Sequence, residues 1–406
     1  MTELYKYQRD CVRELLGGKR IVRAECGLGK TPISLVWANE VRKRTGKRKL
    51  VIWTTASKSH TTDFQDDADI FVPELRRCLD SFEVVSWHMA KKWVNNKTPE
   101  EMSEYIFIAD EVARSKAGVS SLMGRAFLLL TKCTDDWAGF TATPGDTWSD
   151  YCAYFIASGL VRNKTAFQRE FCIMQHHPFP MVLAYTHEDV LNKWWKSISY
   201  EPDSSSVMSQ LPPLTKQIVK FPKPKGYDKV KRTSTTLDGE FCESNMALLH
   251  YLRQMCMTKD KIEYLSDILE SLSSSSSSHP CVVFYNYVCE REQVLKLAKK
   301  LKRKVWRIDG ECHEIPTAET IGKDDIVLCH YLSGSEALNL QFMSYFVSLS
   351  YNYSYSTTKQ AMGRIRRIGQ TDPQHYYFFK CEHTIEEDVA DALNHKRDFV
   401  KELWRP

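Results

Sequence analysis

No CxxC pair occurs anywhere in the 406-residue chain, and no two of its 13 cysteines stand closer than eight residues. That spacing argues against a zinc ribbon, an iron–sulfur cluster or a disulfide framework, and the odd count fits reduced thiols in a reducing compartment. Long apolar runs are missing as well. Ala126 to Leu130 is typical of the longest, far short of the ~18–20 residues a bilayer span needs, and mean hydropathy is −0.41. The opening residues Met1-Thr2-Glu3-Leu4-Tyr5-Lys6 carry charge where a signal peptide needs an apolar core, so a cytosolic or nuclear address is expected. The chain has no large excess of either charge, 56 basic against 51 acidic residues leaving a net of only +5.

What is present is a globular balance, 43% hydrophobic and 26% charged, which excludes a disordered, collagenous or coiled-coil chain. At roughly 150 residues per domain the length predicts two domains with an insertion. Basic residues cluster at Arg42-Lys43-Arg44 with Lys47-Arg48-Lys49, and at Lys299-Lys300 with Lys302-Arg303-Lys304. Such clusters are either solvated helix ends or a surface that tracks phosphates. The pairs His176-His177 and Cys312-His313 read as packing or surface residues rather than metal ligands.

Residues 1–150 alternate between helical spacing (Tyr7 to Leu16, Lys30 to about Arg44) and short apolar runs. The runs are Arg20 to Ala24, Leu50 to Trp53, Phe82 to Val85, Tyr105 to Ile108 and Trp137 to Phe140. That alternation predicts an α/β fold with a parallel sheet covered on both faces. Between 151 and 245 the pattern gives way to aromatics (Trp194, Trp195, Tyr200), serines and prolines, and reads as a connecting region whose aromatics pack against a core. From 246 to 406 the alternation resumes. A helix runs from Leu248 to Leu272, six serines at 273–278 form a surface loop, and strands follow at Cys281 to Tyr285, Lys304 to Ile308 and Ile326 to His330.

Chemistry concentrates in four places. Ala24-Glu25-Cys26-Gly27-Leu28-Gly29-Lys30-Thr31 lies between a predicted strand and a predicted helix. There glycines let N–H groups close on phosphate oxygens, Lys30 reaches the β/γ-phosphates and Thr31 ligates magnesium. Ala24 stands where the strict phosphate-loop pattern has its first glycine. Asp110 and Glu111 end an apolar strand, placing one carboxylate to hold magnesium and the next to polarise water. Thr141-Ala142-Thr143-Pro144 follows another strand end, read as a turn or a relay. Near the C-terminus, Gln360 to Gln370 carries Arg364, Arg366 and Arg367 on a predicted helix. Guanidinium groups suit phosphate oxygens bidentately, and if Arg364 and Arg367 face the phosphate loop they are arginine fingers.

In this order of segments the chain resembles the two-lobed superfamily-two helicases and translocases, and within them the Swi/Snf-like branch in compact form. Leu4-Tyr5-Lys6-Tyr7-Gln8 is similar to the adenine-reading motif, with Gln8 at the glutamine; Tyr5 and Lys6 replace the usual arginine and proline. Gly27 to Thr31 resembles motif I, Asp110-Glu111 motif II, Thr141 to Pro144 motif III and Gln360 to Gln370 motif VI. Thr54-Thr55-Ala56-Ser57 resembles motif Ia, Val84 to Trp87 motif Ib, Val283-Phe284-Tyr285-Asn286 motif IV and Ser333 to Leu340, with Asn339, motif V. Val112-Ala113 departs from the small residue and histidine usual after motif II, and Glu336-Ala337 from a frequent glycine in motif V. The resemblance implies two RecA-like lobes, each a mostly parallel sheet with helices on both faces. It also implies ATP and Mg2+ as cofactors, with Gln8, Gly27, Leu28, Gly29, Lys30, Thr31 and Gln360 at the nucleotide. Thr54, Ser57, Trp87, Tyr285, Asn286, Ser333 and Asn339 are implied on nucleic acid.

The ending Arg367-Ile368-Gly369-Gln370 favours the Swi/Snf-like branch, which implies ATP-driven tracking along duplex DNA by a monomer. A stand-alone motor of this length suits a bacterial or phage-infected cell, in replication or repair. Rival readings are a strand-separating helicase, a non-catalytic nucleic-acid binder with the same fold, and a phosphate-loop switch without a track. Sequence-specific reading is not expected, because phosphate contacts position without specifying.

Overall fold

Short runs rich in Val, Ile, Phe and Trp can serve as interior strands only when both faces are covered, and parallel pairing with crossover helices does that. The computed structural model describes residues 3–25, 27–175, 181–203, 205, 209–274, 279–334, 338–367 and 369–395. It divides into two units, Met1–Ser206 and Val207–Pro406.

In the first unit the strands are β1 (Ile21–Arg23), β2 (Lys49–Thr54), β3 (Ser81–Ser86), β4 (Tyr105–Asp110), β5 (Trp137–Thr141), β6 (Cys172–Gln175), β7 (Met181–Tyr185) and β8 (Ser199–Tyr200). Six form one sheet in the order β3-β2-β4-β5-β1-β8, all parallel. β4 and β5 are buried at every position. Their side chains meet Trp53, Trp87 and Phe127 in one aromatic core, with Trp53 and Phe107 centred 4.7 Å apart. β6 and β7 form a separate antiparallel pair.

The second unit holds β9 (Leu214–Phe221), β10 (Cys281–Tyr285), β11 (Val305–Ile308), β12 (Ile326–His330), β13 (Tyr345–Ser348) and β14 (Gln374–Cys381). They pair in the order β11-β12-β10-β13-β14-β9, again all parallel. Both sheets are flanked by helices, so the α/β class and the two parallel-sheet lobes expected from the sequence are present. No helix among the described residues is long and apolar enough to cross a membrane.

The stretch 151–245 does not stand apart as a connector. Its first part belongs to the first unit: Trp194 packs on Phe171 at 5.0 Å and Trp195 on Tyr151 at 4.7 Å, and β8 pairs with β1. Its second part supplies β9 to the other sheet. The single helix expected from Leu248 to Leu272 is two, Asn245–Met255 and Lys259–Ser274. The first closes with tight bonds from the Cys256 and Met257 N–H groups to the Arg253 and Gln254 carbonyls.

Candidate nucleotide site

In the first sheet β5 lies between β1 and β4, so the loop after β1, the carboxylates at the end of β4 and the hydroxyls after β5 emerge along one sheet edge. Gly27 (φ 84°) and Gly29 (φ 67°) both adopt left-handed backbone. Gly29 caps the 16-residue helix Lys30–Thr45, whose first N–H groups and dipole favour an anion. A Cβ at Gly29 would come 2.4 Å from Gln8 Nε2, so only glycine lets that side chain lie against the loop. Gln8 is buried. Its amide donates to the Leu28 carbonyl at 3.2 Å and its Oε1 accepts the Tyr5 N–H at 2.9 Å, while the Tyr7 hydroxyl donates to the same Leu28 carbonyl at 2.9 Å. Gln8, expected to read adenine, thus props the Gly27–Thr31 loop from the helix Lys6–Leu16. Cys26 lies outside the described residues.

Lys30 turns back on its own loop, donating to the Ala24 and Glu25 carbonyls at 3.2 and 3.3 Å. Asp110 Oδ2 accepts from Thr54 Oγ1 at 2.7 Å and from Lys58 Nζ at 3.1 Å, and Lys58 Nζ also donates to Thr31 Oγ1 at 3.0 Å. Burial alone would raise the Asp110 carboxyl. The Lys58 ammonium, helped by Thr54 and Lys30, outweighs it and holds the group below the ordinary carboxylate value. Glu111 takes left-handed backbone, φ 51° and ψ 52°, which a non-glycine residue adopts at a cost and which recurs at functional sites. Its Oε2 accepts from Thr141 Oγ1 at 3.3 Å, and Thr141 Oγ1 accepts the Thr143 N–H at 3.2 Å, so the second and third motifs meet. The Thr31 hydroxyl and Asp110 carboxylate are hard oxygen donors suited to Mg2+, and the pair already accepts a cation in the form of the Lys58 ammonium. They fit the metal.

Two residues expected on nucleic acid are placed differently. Thr54 is fully buried and spends its hydroxyl on Asp110, and Trp87 is 1% exposed, donating its indole N–H to the Asp110 carbonyl at 2.8 Å. Both hold the carboxylate strand in place; neither side chain is exposed to a ligand. Ser57 lies in the short helix Ala56–Ser59, its side chain outside the description. The basic cluster at 42–49 is largely neutralised: Lys43 pairs with Glu40, Lys47 with Asp136, Arg48 with Asp80 and Lys49 with Glu104.

In the second unit Tyr285 is buried and donates to Asp309 Oδ2 at 2.8 Å, again a supporting position. Asn286 is half-buried and pins the loop after β13, donating to Ser350 Oγ at 2.9 Å and the Tyr351 carbonyl at 3.2 Å. Ser333 is half-buried and Asn339 exposed; the intervening 335–337 lie outside the described residues. Gln360 sits half-buried on the helix Tyr355–Met362. That helix ends at Gly363, so the arginines, expected on a helix, follow it in turns. Leu340 N–H donates to the Arg364 carbonyl at 3.1 Å, and Arg367 donates to the Leu338 carbonyl at 3.2 Å. The two motifs, apart in sequence, are thus locked together.

Sequence reasoning missed Lys58, whose only signal was a cation four residues after Thr54. It also missed a buried group of Cys256, Cys381 and Glu386 close enough to share a metal. Lys261 Nζ already takes both Glu386 oxygens, at 3.0 and 2.9 Å, which makes this an ion pair. His176 and His177 lie outside the described residues.

No family model matches the chain. A probable ATP-dependent helicase of Plasmodium falciparum is 40% identical over 65 residues, 16% of this chain and 3% of that protein. An uncharacterized ATP-dependent helicase of Bacillus subtilis, YqhH, is 33% identical over 64 residues, 16% of this chain and 12% of that protein. Helicase swr1 of Aspergillus fumigatus is 27% identical over 144 residues, 34% of this chain and 8% of that protein. The chain thus spans about a tenth or less of the length of these relatives. Among solved structures, the Sulfolobus solfataricus SWI2/SNF2 ATPase core in complex with dsDNA aligns over 100% of this chain and 92% of that chain, at 15% identity and TM-score 0.44. The relatives' helicase names agree with the resemblance read in the sequence.

Proposed function

We propose that this chain is an ATP-dependent nucleic-acid motor of the Swi/Snf-like kind, hydrolysing ATP to move along duplex DNA. The observation that carries the reading is the meeting, on one sheet edge, of the Gly27–Thr31 loop, the Asp110 carboxylate with its cation, and Glu111 with Thr141. The loop N–H groups and the start of the helix Lys30–Thr45 bind the phosphates, and Lys30 exchanges the Ala24 and Glu25 carbonyls for phosphate oxygens. Thr31 and Asp110 hold Mg2+, which neutralises charge on the terminal phosphates. Glu111 orients the attacking water, with the Thr141 hydroxyl fixing its carboxylate. Arg364 and Arg367 offset the charge of the departing γ-phosphate. Ser333 and Asn339 contact the phosphate backbone, contacts that position without reading sequence.

ATPase rates measured side by side without nucleic acid, and with single-stranded DNA, duplex DNA or RNA, test the reading. Duplex DNA is expected to give the largest stimulation. Equal rates in all four conditions would sink the motor, and strand displacement from a labelled duplex would replace tracking with unwinding. DNA affinity should fall steeply with salt as counterions are released; a flat titration contradicts backbone tracking.

A further inference from the structure

Lys58 belongs to none of the residues that motif reasoning selects, yet its ammonium lies between the two oxygens given the metal role. Nζ stands 3.0 Å from Thr31 Oγ1 and 3.1 Å from Asp110 Oδ2. The side chain is 17% exposed and that of Asp110 8%, so the pair is only weakly screened by solvent. The ammonium also faces an aromatic ring: Nζ lies 4.3 Å from the ring centre of Phe64, which is 1% exposed. Lys30, by contrast, points at backbone carbonyls. An ammonium in direct contact with a carboxylate oxygen and a divalent cation on the same oxygen would repel each other strongly at such low exposure, so the two cannot both hold their places.

We propose that Lys58 is a built-in counter-cation, which holds Thr31 and Asp110 together and is expelled when a divalent metal enters. The inference rests on the nucleotide reading above and adds a competitor for its metal. It also gives the competitor a consequence. Lys58 lies on the short helix Ala56–Ser59 that follows β2, next to Ser57, which is expected on nucleic acid. Metal entry frees that cation beside Ser57, and by linkage whatever draws Lys58 away eases metal binding.

The test uses Mn2+ as the probe. Free Mn2+ is followed by electron paramagnetic resonance during titration of the intact, nucleotide-free chain, in wild type, Lys58→Met, Lys58→Gln and Lys58→Met/Asp110→Asn. Both neutral variants should bind one Mn2+ on the order of tenfold more tightly than wild type, a coupling within the usual range. The double variant should lose the gain. Affinity unchanged or weakened in the neutral variants, or no binding in any of the proteins, overturns the proposal. If Met at 58 unfolds the chain, the Gln variant, which keeps a hydrogen-bond donor, carries the test. Melting of both variants without rescue by Mn2+ also counts against it, because a metal that replaces the ammonium should restore the site. Binding of a fluorescent ATP analogue to wild type at saturating Mg2+ separates the two levels. No binding overturns the nucleotide reading, whereas binding with unchanged Mn2+ affinities overturns Lys58 alone.

Discussion

Glu386 and Asp309 are both buried carboxylates of the second unit, and the company each keeps sets what its loss does. Glu386 takes both oxygens to the Lys261 ammonium and also accepts the Cys381 N–H at 2.7 Å; the two charged side chains are 1% and 0% exposed. Burial works against the Lys261 charge, but the adjacent Glu386 carboxylate outweighs it and raises the group's pKa. Glu386→Gln leaves that ammonium with no charge opposite it and should cost about 3–5 kcal/mol, read from denaturant midpoints, the usual penalty for breaking a buried pair from one side. Lys261→Met/Glu386→Gln should recover most of the loss; a double variant no better than the single would mean the pair is not the cause. Asp309 is surrounded by donors instead: Arg307 Nε at 2.6 Å, Tyr285 Oη at 2.8 Å, and the N–H groups of Glu311 and Cys312 at 2.9 and 3.0 Å. Burial opposes its charge, yet Arg307 and these N–H groups hold the carboxyl well below its ordinary value. A depressed folded-state pKa contributes stability that is complete above the unfolded value of about 4 and is lost as pH falls toward the folded one. Thermal melts of wild type should therefore drop below about pH 5, and Asp309→Asn should flatten that part of the drop. An unchanged slope would show that other carboxylates dominate it.

At the scale of elements, the helix Leu122–Cys133 begins where backbone meets backbone. Ser121 caps it by accepting the Gly124 N–H at 3.0 Å. A Cβ at Gly124 would stand 2.2 Å from the Gly118 carbonyl oxygen and 2.7 Å from its Cα. Alanine favours a helix by up to ~1 kcal/mol, but the neighbour here is main chain and cannot swing aside. Gly124→Ala should therefore be net destabilising, by about 1–3 kcal/mol as for other overpacked sites. A urea midpoint equal to or above that of wild type would contradict the close approach. The same contrast between local and through-space causes explains what the sequence made readable. β2, β4, β5, β10 and β12 were legible as continuous apolar runs because both their faces are buried. β9 was not: Thr215 to Ile218 are exposed on a sheet edge, and its partner β14 lies far along the chain. Gly27 to Thr31 and Asp110-Glu111 were legible because their chemistry sits in a few consecutive residues. Thr54, Trp87 and Lys58 acquire their roles only by folding around Asp110, so tryptophan and threonine read as ligand contacts turned out to be its supports.

For the whole molecule, each unit closes a core of its own, the first around Trp53, Phe107 and Phe127 and the second around Phe284, Phe346 and Phe379. Among the described residues, the buried members of the first core all lie within 1–206, so that stretch should fold alone and melt cooperatively. That fragment carries the phosphate loop, Asp110, Glu111 and Lys58 but none of the arginines at 364–367. It should bind a fluorescent ATP analogue about as well as the intact chain does. Turnover, however, should fall on the order of 10³-fold or more, the usual loss when an arginine finger is withdrawn. Arg367→Ala in the intact chain should copy the fragment, with binding kept and turnover lost, whereas Lys30→Ala should abolish turnover at the phosphates themselves. A fragment that hydrolyses ATP at the intact rate would remove the arginines from the reaction. A fragment that folds but binds no nucleotide would place the binding determinants elsewhere, and the reading of the phosphate loop would fail with them.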